Sequence, residues 1–205
     1  MKTSKRLVNF FLALFLIILL FPICLVIAIL IKLDSPGPII FRQKRVGKGG
    51  RLFTIFKFRT LFYNARKYQL KPTDSSDARI TPVGRILRPV GLDEIPQLIN
   101  VLKGEMSLVG PRPEMLFIVT NYTPEEKQRL QIKPGITGLW QIFAPKDEPI
   151  HKHLQYDLFY IKHQSVKLDC WILFQTLRFL VGARNLSGKL GMHFMLRNLY
   201  WMLDA

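Results

Sequence analysis

Asp93 and Glu94 stand side by side in GLDEIPQLINVLKGEM, between Gly91 and Pro96. Their setting is unusual. The chain carries 30 Lys and Arg against 14 Asp and Glu, a net charge of +16. If a helix starts here, neighbouring positions diverge, so the two carboxylates need not share a proton and can hold different tasks. A helix N-terminus keeps a carboxylate ionised and also favours a bound phosphate. An ionised Asp beside a phosphate can attack phosphorus and form an acyl phosphate. An anion attacking an anion needs neutralisation, which a divalent metal and nearby arginines supply. Arg79, Arg85, Arg88 and Arg112 lie close enough in sequence to serve. The same pair can also do no more than complement a helix dipole, and residue types alone leave both readings open.

The elements that must position this pair follow from periodicity. Leu92, Ile95, Leu98, Ile99 and Leu102 recur at helical spacing, which predicts a short helix over 92–103 with Pro96 in its first turn. Upstream, Gly47, Gly49 and Gly50 separate two β-prone runs in IIFRQKRVGKGGRLFTIFKFRT, a hairpin pattern. Strand alternation sets Lys57 and Arg59 on one face and Phe56 and Phe58 on the other. Further helices are expected near 124–132, 150–164 and 168–182. The tail, 187–205, mixes cations with Phe, Leu, Tyr and Trp in the manner of an amphipathic surface helix.

Leu7 to Ile31 contains no charged residue over 25 positions. That length can cross a hydrocarbon core of about 30 Å. Pro22 near its middle removes a helix hydrogen bond and favours a kink. Both flanks are basic: Lys2, Lys5 and Arg6 before, Lys32, Arg42, Lys44 and Arg45 after. Positive flanks remain cytoplasmic. The favoured expectation is therefore a re-entrant segment that bends at Pro22 and leaves by the face it entered, with a kinked span as the alternative.

A strongly basic chain attracts nucleic acid, acidic headgroups or phosphorylated substrates. No nucleic-acid recognition motif is present, so no nucleic-acid partner is expected. Cys24 and Cys170 have no metal-ligand spacing and suggest no disulfide framework, which fits a reducing compartment. His151, His153 and His163 match no zinc-site spacing.

Taken together, KLDSPGPIIFRQKRVGKGGRLFTIFKFRT, DARITPVGRILR, LDEIPQLINVLKGEMSLVGPRPE, KPGITGLWQ and YDLFYI resemble, in order, the bacterial sugar transferases, or monotopic phosphoglycosyl transferases. The resemblance runs from about residue 5 to residue 180 and implies much more than the residues alone. The expected fold is α+β and mostly helical. It has a re-entrant helix-break-helix membrane anchor at 1–33, a catalytic domain at 34–186 with a small β-hairpin and interfacial helices, and the tail at 187–205. The implied reaction moves a phosphosugar from a UDP-sugar to polyprenyl phosphate, releases UMP and requires Mg²⁺. It is carried out at the cytoplasmic face of the bacterial inner membrane and starts a surface-glycan or glycoprotein pathway. Asp93 is the implied nucleophile, with Glu94 its dyad partner. Lys57, Arg59, Arg79, Arg85, Arg88, Arg112 and Asp157 are the expected substrate-binding set. Asp93, Glu94 and Glu105 are the expected metal ligands, and Pro22 is the membrane break. Anionic lipids are expected partners, and a second copy of the chain is a further candidate.

Four positions depart from the family pattern. Phe21 precedes Pro22 where Ser is usual, so a hydroxyl that could bond freed backbone groups in the bend is missing. Gly91 stands where Ser commonly precedes LDE, and KFRT replaces KFRS. After GLWQ the chain reads IFAPKDEP, without the family's arginine, which leaves Lys146 as a candidate substitute. That last departure is the one feature favouring a silent membrane-bound relative that acts as a scaffold or binds lipid phosphate without turnover.

Overall fold

The computed structural model describes residues 3–65, 77–144 and 153–180. The expected tail helix, Lys146 and His151 lie outside them. The fold is a mostly helical α+β arrangement with a long apolar N-terminal helix and a small antiparallel hairpin.

Helix α1 (Thr3–Asp34) runs without interruption through Pro22, so the expected break is not a gap in helical structure. Its apolar side chains face outward over most of its length, as at Phe11, Ile18 and Leu33, which are 62%, 67% and 80% exposed. It is long and apolar enough to cross a membrane. Both ends are nevertheless built into the folded body. Near the N-terminus, the Lys5 ammonium lies 2.7 Å from Asp169 and also bonds the Tyr160 hydroxyl. Asn9 accepts from the Leu108 amide at 3.0 Å, and Ala13 sits in the main core. Near the C-terminus, Ile27 and Ile31 pack with Phe58 and Leu87.

Strands β1 (Ile40–Val46) and β2 (Leu52–Phe58) pair antiparallel, with Arg42 opposite Phe56 and Val46 opposite Leu52. Both faces of β2 are covered. Phe53 and Ile55 enter the main core, while Phe58 packs beneath α1. Lys57 therefore points inward with Ile55. Helix α2 (Pro82–Leu87) starts as its sequence dictates. Thr81 Oγ1 accepts from the Gly84 amide at 3.0 Å, and Pro82 occupies the first turn. Gly84 lies so close to the Thr60 carbonyl that any Cβ there would collide with it.

The helix expected over 92–103 divides. A 3₁₀ segment (Leu92–Gln97) leads into α3 (Leu98–Leu102). Pro96 has no amide hydrogen to give an α-helical turn, and Gly91 enters the segment at φ 66°. The expected helix around 124–132 is likewise a 3₁₀ segment, Glu126–Gln131. Strands β3 (Ser107–Val109) and β4 (Gly135–Thr137) form a two-stranded parallel pair. Helices α4 (Leu116–Val119) and α5 (Leu139–Phe143) are short. Helices α6 (Leu154–Lys162) and α7 (Val166–Leu180) match the two helical runs expected last. Phe143 is fully buried and stacks on Tyr156 and Trp171, joining α5, α6 and α7. Burial of such a side chain contributes about 1.5–3 kcal/mol.

Candidate active site

The dyad occupies the first turn of the Leu92–Gln97 segment, held against β2. With so short a segment, a helix macrodipole contributes little, and side-chain cations take its place. Glu94 Oε1 accepts from Lys57 Nζ at 2.6 Å and from Arg112 at 3.2 Å. Strand β2 supplies Lys57, and the Gly110–Pro113 turn after β3 supplies Arg112. Three elements distant in sequence thus meet at one carboxylate.

Asp93 is placed differently. Among the described residues no hydrogen bond or ion pair reaches its half-buried carboxyl. Burial pushes its pKa above the ordinary aspartate range, and Glu94 adds to the push. Lys57, then Arg88 and Arg112, oppose it. Burial lowers the pKa of Lys57, with Glu94 pulling back. Burial also works against the charge of Arg112, but Glu94, Glu114 and Asp93 outweigh it and raise its pKa. Arg112 further lies over the Trp140 ring, 5.0 Å from its centre. Glu94 is therefore a clamped counter-ion, and Asp93 is a desolvated carboxyl with cations nearby but none attached.

The expected binding cations divide. Lys57 and Arg112 converge on the dyad, and Arg88, capping α2, acts on Asp93 electrostatically. Arg85 is exposed on α2. Arg79 forks onto Asp77, 2.6 Å away, and that hydrogen bonding holds the Asp77 carboxyl down to about 2.

Two expected binding residues lie buried in contacts within the fold. Arg59 is 3% exposed, and its guanidinium donates to the carbonyls of Ile31, Ser35 and Pro36. Ile31 lies in the last turn of α1, where its carbonyl also accepts from the Ser35 amide, so Arg59 caps the end of that helix. Asp157 is 2% exposed and lies 2.7 Å from Arg129 Nε, itself buried. Burial raises the Asp157 pKa to about 6 against the pull of Arg129. It neutralises a cation and has no surface to offer a substrate. Arg129 in turn donates to the Tyr122 hydroxyl and to the Arg112 carbonyl, so the pair supports the turn that carries Arg112.

The expected metal set of Asp93, Glu94 and Glu105 does not converge as one group. Among the described residues no group of three or more His, Cys, Asp or Glu could hold a metal. Glu105 accepts from Asn100 Nδ2 at 2.7 Å, and Asn100 bonds the β2 backbone at Thr54 and Phe56. Glu105 thus tightens α3 against β2. What the geometry leaves is a two-carboxylate donor set, Asp93 and Glu94. That set fits Mg²⁺, a hard cation that needs one or two carboxylates when substrate phosphates and water complete its shell.

Three residues at the site were not singled out from the sequence, although each lies in one of the motif stretches. Arg45, Gln97 and Trp140 surround the clamp, the first two lining one cleft with Lys57, Glu94 and Arg112. Their place in a motif gave no role, and only the fold brings them to the clamp.

The chain matches the bacterial sugar transferase family over residues 1–183. It belongs to that family. Over 172 residues it is 41% identical to an Aeromonas hydrophila protein named UDP-N-acetylgalactosamine-undecaprenyl-phosphate N-acetylgalactosaminephosphotransferase. That match covers 80% of this chain and 41% of the relative. A Xanthomonas campestris protein named UDP-glucose:undecaprenyl-phosphate glucose-1-phosphate transferase is 40% identical over 191 residues, 89% of this chain and 40% of its own length. A Rhizobium leguminosarum exopolysaccharide production protein is 38% identical over 184 residues, 84% of this chain and 92% of its own. The chain therefore spans about two fifths of the first two relatives and nearly the whole of the third. As a family member it carries the dyad and the Lys57–Arg112 clamp within the matched stretch.

Proposed function

We propose that this sugar transferase moves a sugar 1-phosphate from a UDP-sugar to undecaprenyl phosphate and releases UMP. The observation that carries this reading is the contrast within the dyad: Glu94 is clamped by Lys57 and Arg112, while Asp93 is desolvated and unclamped. A nucleophile must be free to leave its resting contacts, and a positioning carboxylate must not.

In the first step an Asp93 carboxylate oxygen attacks the phosphorus that bears the sugar. The P–O bond to UMP breaks, and UMP leaves with the bridging oxygen. In the second step an oxygen of the lipid phosphate attacks the same phosphorus and frees the Asp93 carboxylate. Lys57, Arg88 and Arg112 offset the negative charge that gathers at phosphorus. Mg²⁺ held by Asp93 and Glu94 would supply further neutralisation of the phosphate oxygens.

The membrane reading rests on α1. Its outward apolar surface needs a lipid environment, since soluble surfaces rarely expose patches of that extent. Lys5 and Arg59 latch its two ends to one folded body. That arrangement favours a re-entrant segment around Pro22, with both ends on the cytoplasmic face of the inner membrane. Residues 1–33 then form the anchor, 34–186 the catalytic body and 187–205 an interfacial tail. Exposed Ile86, Ile99, Phe174, Leu177 and Leu180 on α2, α3 and α7 suit helices lying at the lipid interface. The product would enter surface-glycan or glycoprotein synthesis at its first membrane step.

The test is UMP release from a panel of UDP-sugars by the protein in nanodiscs with Mg²⁺, with and without undecaprenyl phosphate. Release that depends on Asp93, with a phosphosugar adduct in the intact mass when lipid is withheld, is the expected result. No release from folded protein with any sugar overturns the reading.

A further inference from the structure

Behind the Glu94 clamp lies a cleft lined by Arg45, Lys57, Gln97 and Arg112 on its polar side and by Ile55 and Ile136 on its apolar side. Two of these lining residues each carry a buried nitrogen with no hydrogen-bond partner: Arg45 Nε and Gln97 Nε2. Gln97 is 2% exposed, so water cannot reach its amide freely. An unmet buried donor costs about 1–3 kcal/mol. Two in one cleft point to an acceptor that the protein itself does not supply.

The rest of the lining states what kind of acceptor. Three cations, Arg45, Lys57 and Arg112, face one carboxylate, Glu94. Arg45 is otherwise well held. It donates to Gln43 at 2.6 Å and lies 3.9 Å from Glu114, which leaves Nε as its free corner. A recess with three cations against one carboxylate, and with unmet donors on its lining residues, suits an oxygen with lone pairs and negative charge. Asp93 and Arg88 are not part of this lining, but Lys57 and Arg112 act on Asp93 as well. The recess and the nucleophile therefore share two cations and differ in the rest.

We propose that Arg45 and Gln97, with Lys57 and Arg112, form an oxyanion subsite that takes an oxygen of a phosphoryl group other than the one Asp93 attacks. The proposal rests on the transferase reading. A UDP-sugar offers such a group in its nucleotide-side phosphate, and the lipid acceptor offers one in its phosphate monoester. Gln97 is then a specificity-determining residue that holds the phosphate not undergoing attack. Its amide contact forms on binding and persists through the reaction, so it governs KM more than kcat.

The experiment compares wild type with Gln97→Leu and Gln97→Glu, all in nanodiscs. Three quantities are read: UMP affinity, KM and kcat for the best UDP-sugar, and KM for undecaprenyl phosphate. Loss of one charge-assisted hydrogen bond should weaken binding about tenfold in Gln97→Leu. Gln97→Glu sets a carboxylate against the ligand oxygen and should weaken it further. If UMP affinity and UDP-sugar KM change together while the lipid KM does not, the recess holds the nucleotide phosphate. If only the lipid KM rises, it holds the acceptor phosphate. If none of the three changes and Gln97→Leu alters only the melting temperature, the donors serve a buried water and the subsite is overturned. A wild type that binds UMP in a Gln97-dependent way but turns over no UDP-sugar keeps the subsite and removes the transferase reading. A wild type that binds no UMP and turns over no UDP-sugar removes both.

Discussion

Lys57 Nζ lies 2.6 Å from Glu94 Oε1, yet Lys57 is also the foremost charge opposing the raised pKa of Asp93. One cation therefore serves two carboxylates in different ways. Burial raises the Asp93 pKa, so its reactive anion is lost as pH falls through a value above the usual aspartate range. The acid limb of kcat/KM should lie above the range of an ordinary aspartate. Lys57→Met should move that limb to higher pH, beyond lowering the rate. A pH–rate profile checks both, and an unmoved limb would separate Lys57 from Asp93.

Asp93→Asn should reduce transfer by about 10³-fold or more and abolish the phosphosugar adduct. Membrane association should be unchanged, because α1 is untouched. Glu94→Gln should lower the rate while the adduct still forms, since its carboxylate holds Lys57 and Arg112. Intact-mass spectrometry after incubation with UDP-sugar distinguishes the two variants.

Arg129 and Asp157 are a buried pair behind the Arg112 turn. Asp157→Asn leaves the Arg129 charge without its partner and should cost about 3–5 kcal/mol of stability. Thermal unfolding measures that loss. A stable Asp157→Asn protein with ordinary turnover would show that the pair does not support Arg112.

Arg59→Met should uncap α1 at Ile31 and Ser35. Hydrogen bonds from a charged donor are worth about 1.5–3 kcal/mol each, and several are lost together. A lower melting temperature is expected, with the KM for UDP-sugar little altered in the protein that remains folded. A large KM change at unchanged stability would return Arg59 to the binding set.

Single-cysteine variants at Ser4 and Asp34, with Cys24 and Cys170 replaced by serine, report the topology of α1. A membrane-impermeant maleimide should label both sites from the same side of inverted vesicles. Labelling from opposite sides would establish a span.

Much of this site was readable before the fold, because its residues sit in dense motifs. Asp93 and Glu94 announce themselves as adjacent acids in a basic chain. Lys57 and Arg112 lie in motif stretches of their own. The hairpin followed from three glycines between β-prone runs, and α7 from an apolar run too short for a confident span. Other features were out of reach for physical reasons. Arg129 and Asp157 belong to separate elements, and no spacing rule joins them. Arg59 shares its strand face with Lys57, so alternation alone gave both one role, yet the end of α1 lies over Arg59 only. Pro96 was read as a tolerated first-turn residue, but with Gly91 before it the turn tightens to 3₁₀. Glu105 carried the right chemistry for a metal, and only the position of Asn100 shows where that carboxylate is used.

The backbone behind Arg112 is unusually close-packed. A Cβ on Gly110 or Gly135 would collide with the other's strand, and the Gly135 amide donates to the Pro111 carbonyl at 2.8 Å. Prolines at 111 and 113 restrict the turn further. Arg112 is therefore mounted on a stiff bracket, its backbone entropy surrendered during folding rather than at each encounter. On the transferase reading, an incoming phosphate would meet a charge already in place, and capture would not wait on a loop to order. Loosening the bracket with alanine at Pro111 and Pro113 would leave every charged group present and still slow the enzyme, because each turnover would have to rebuild what the chain now holds ready.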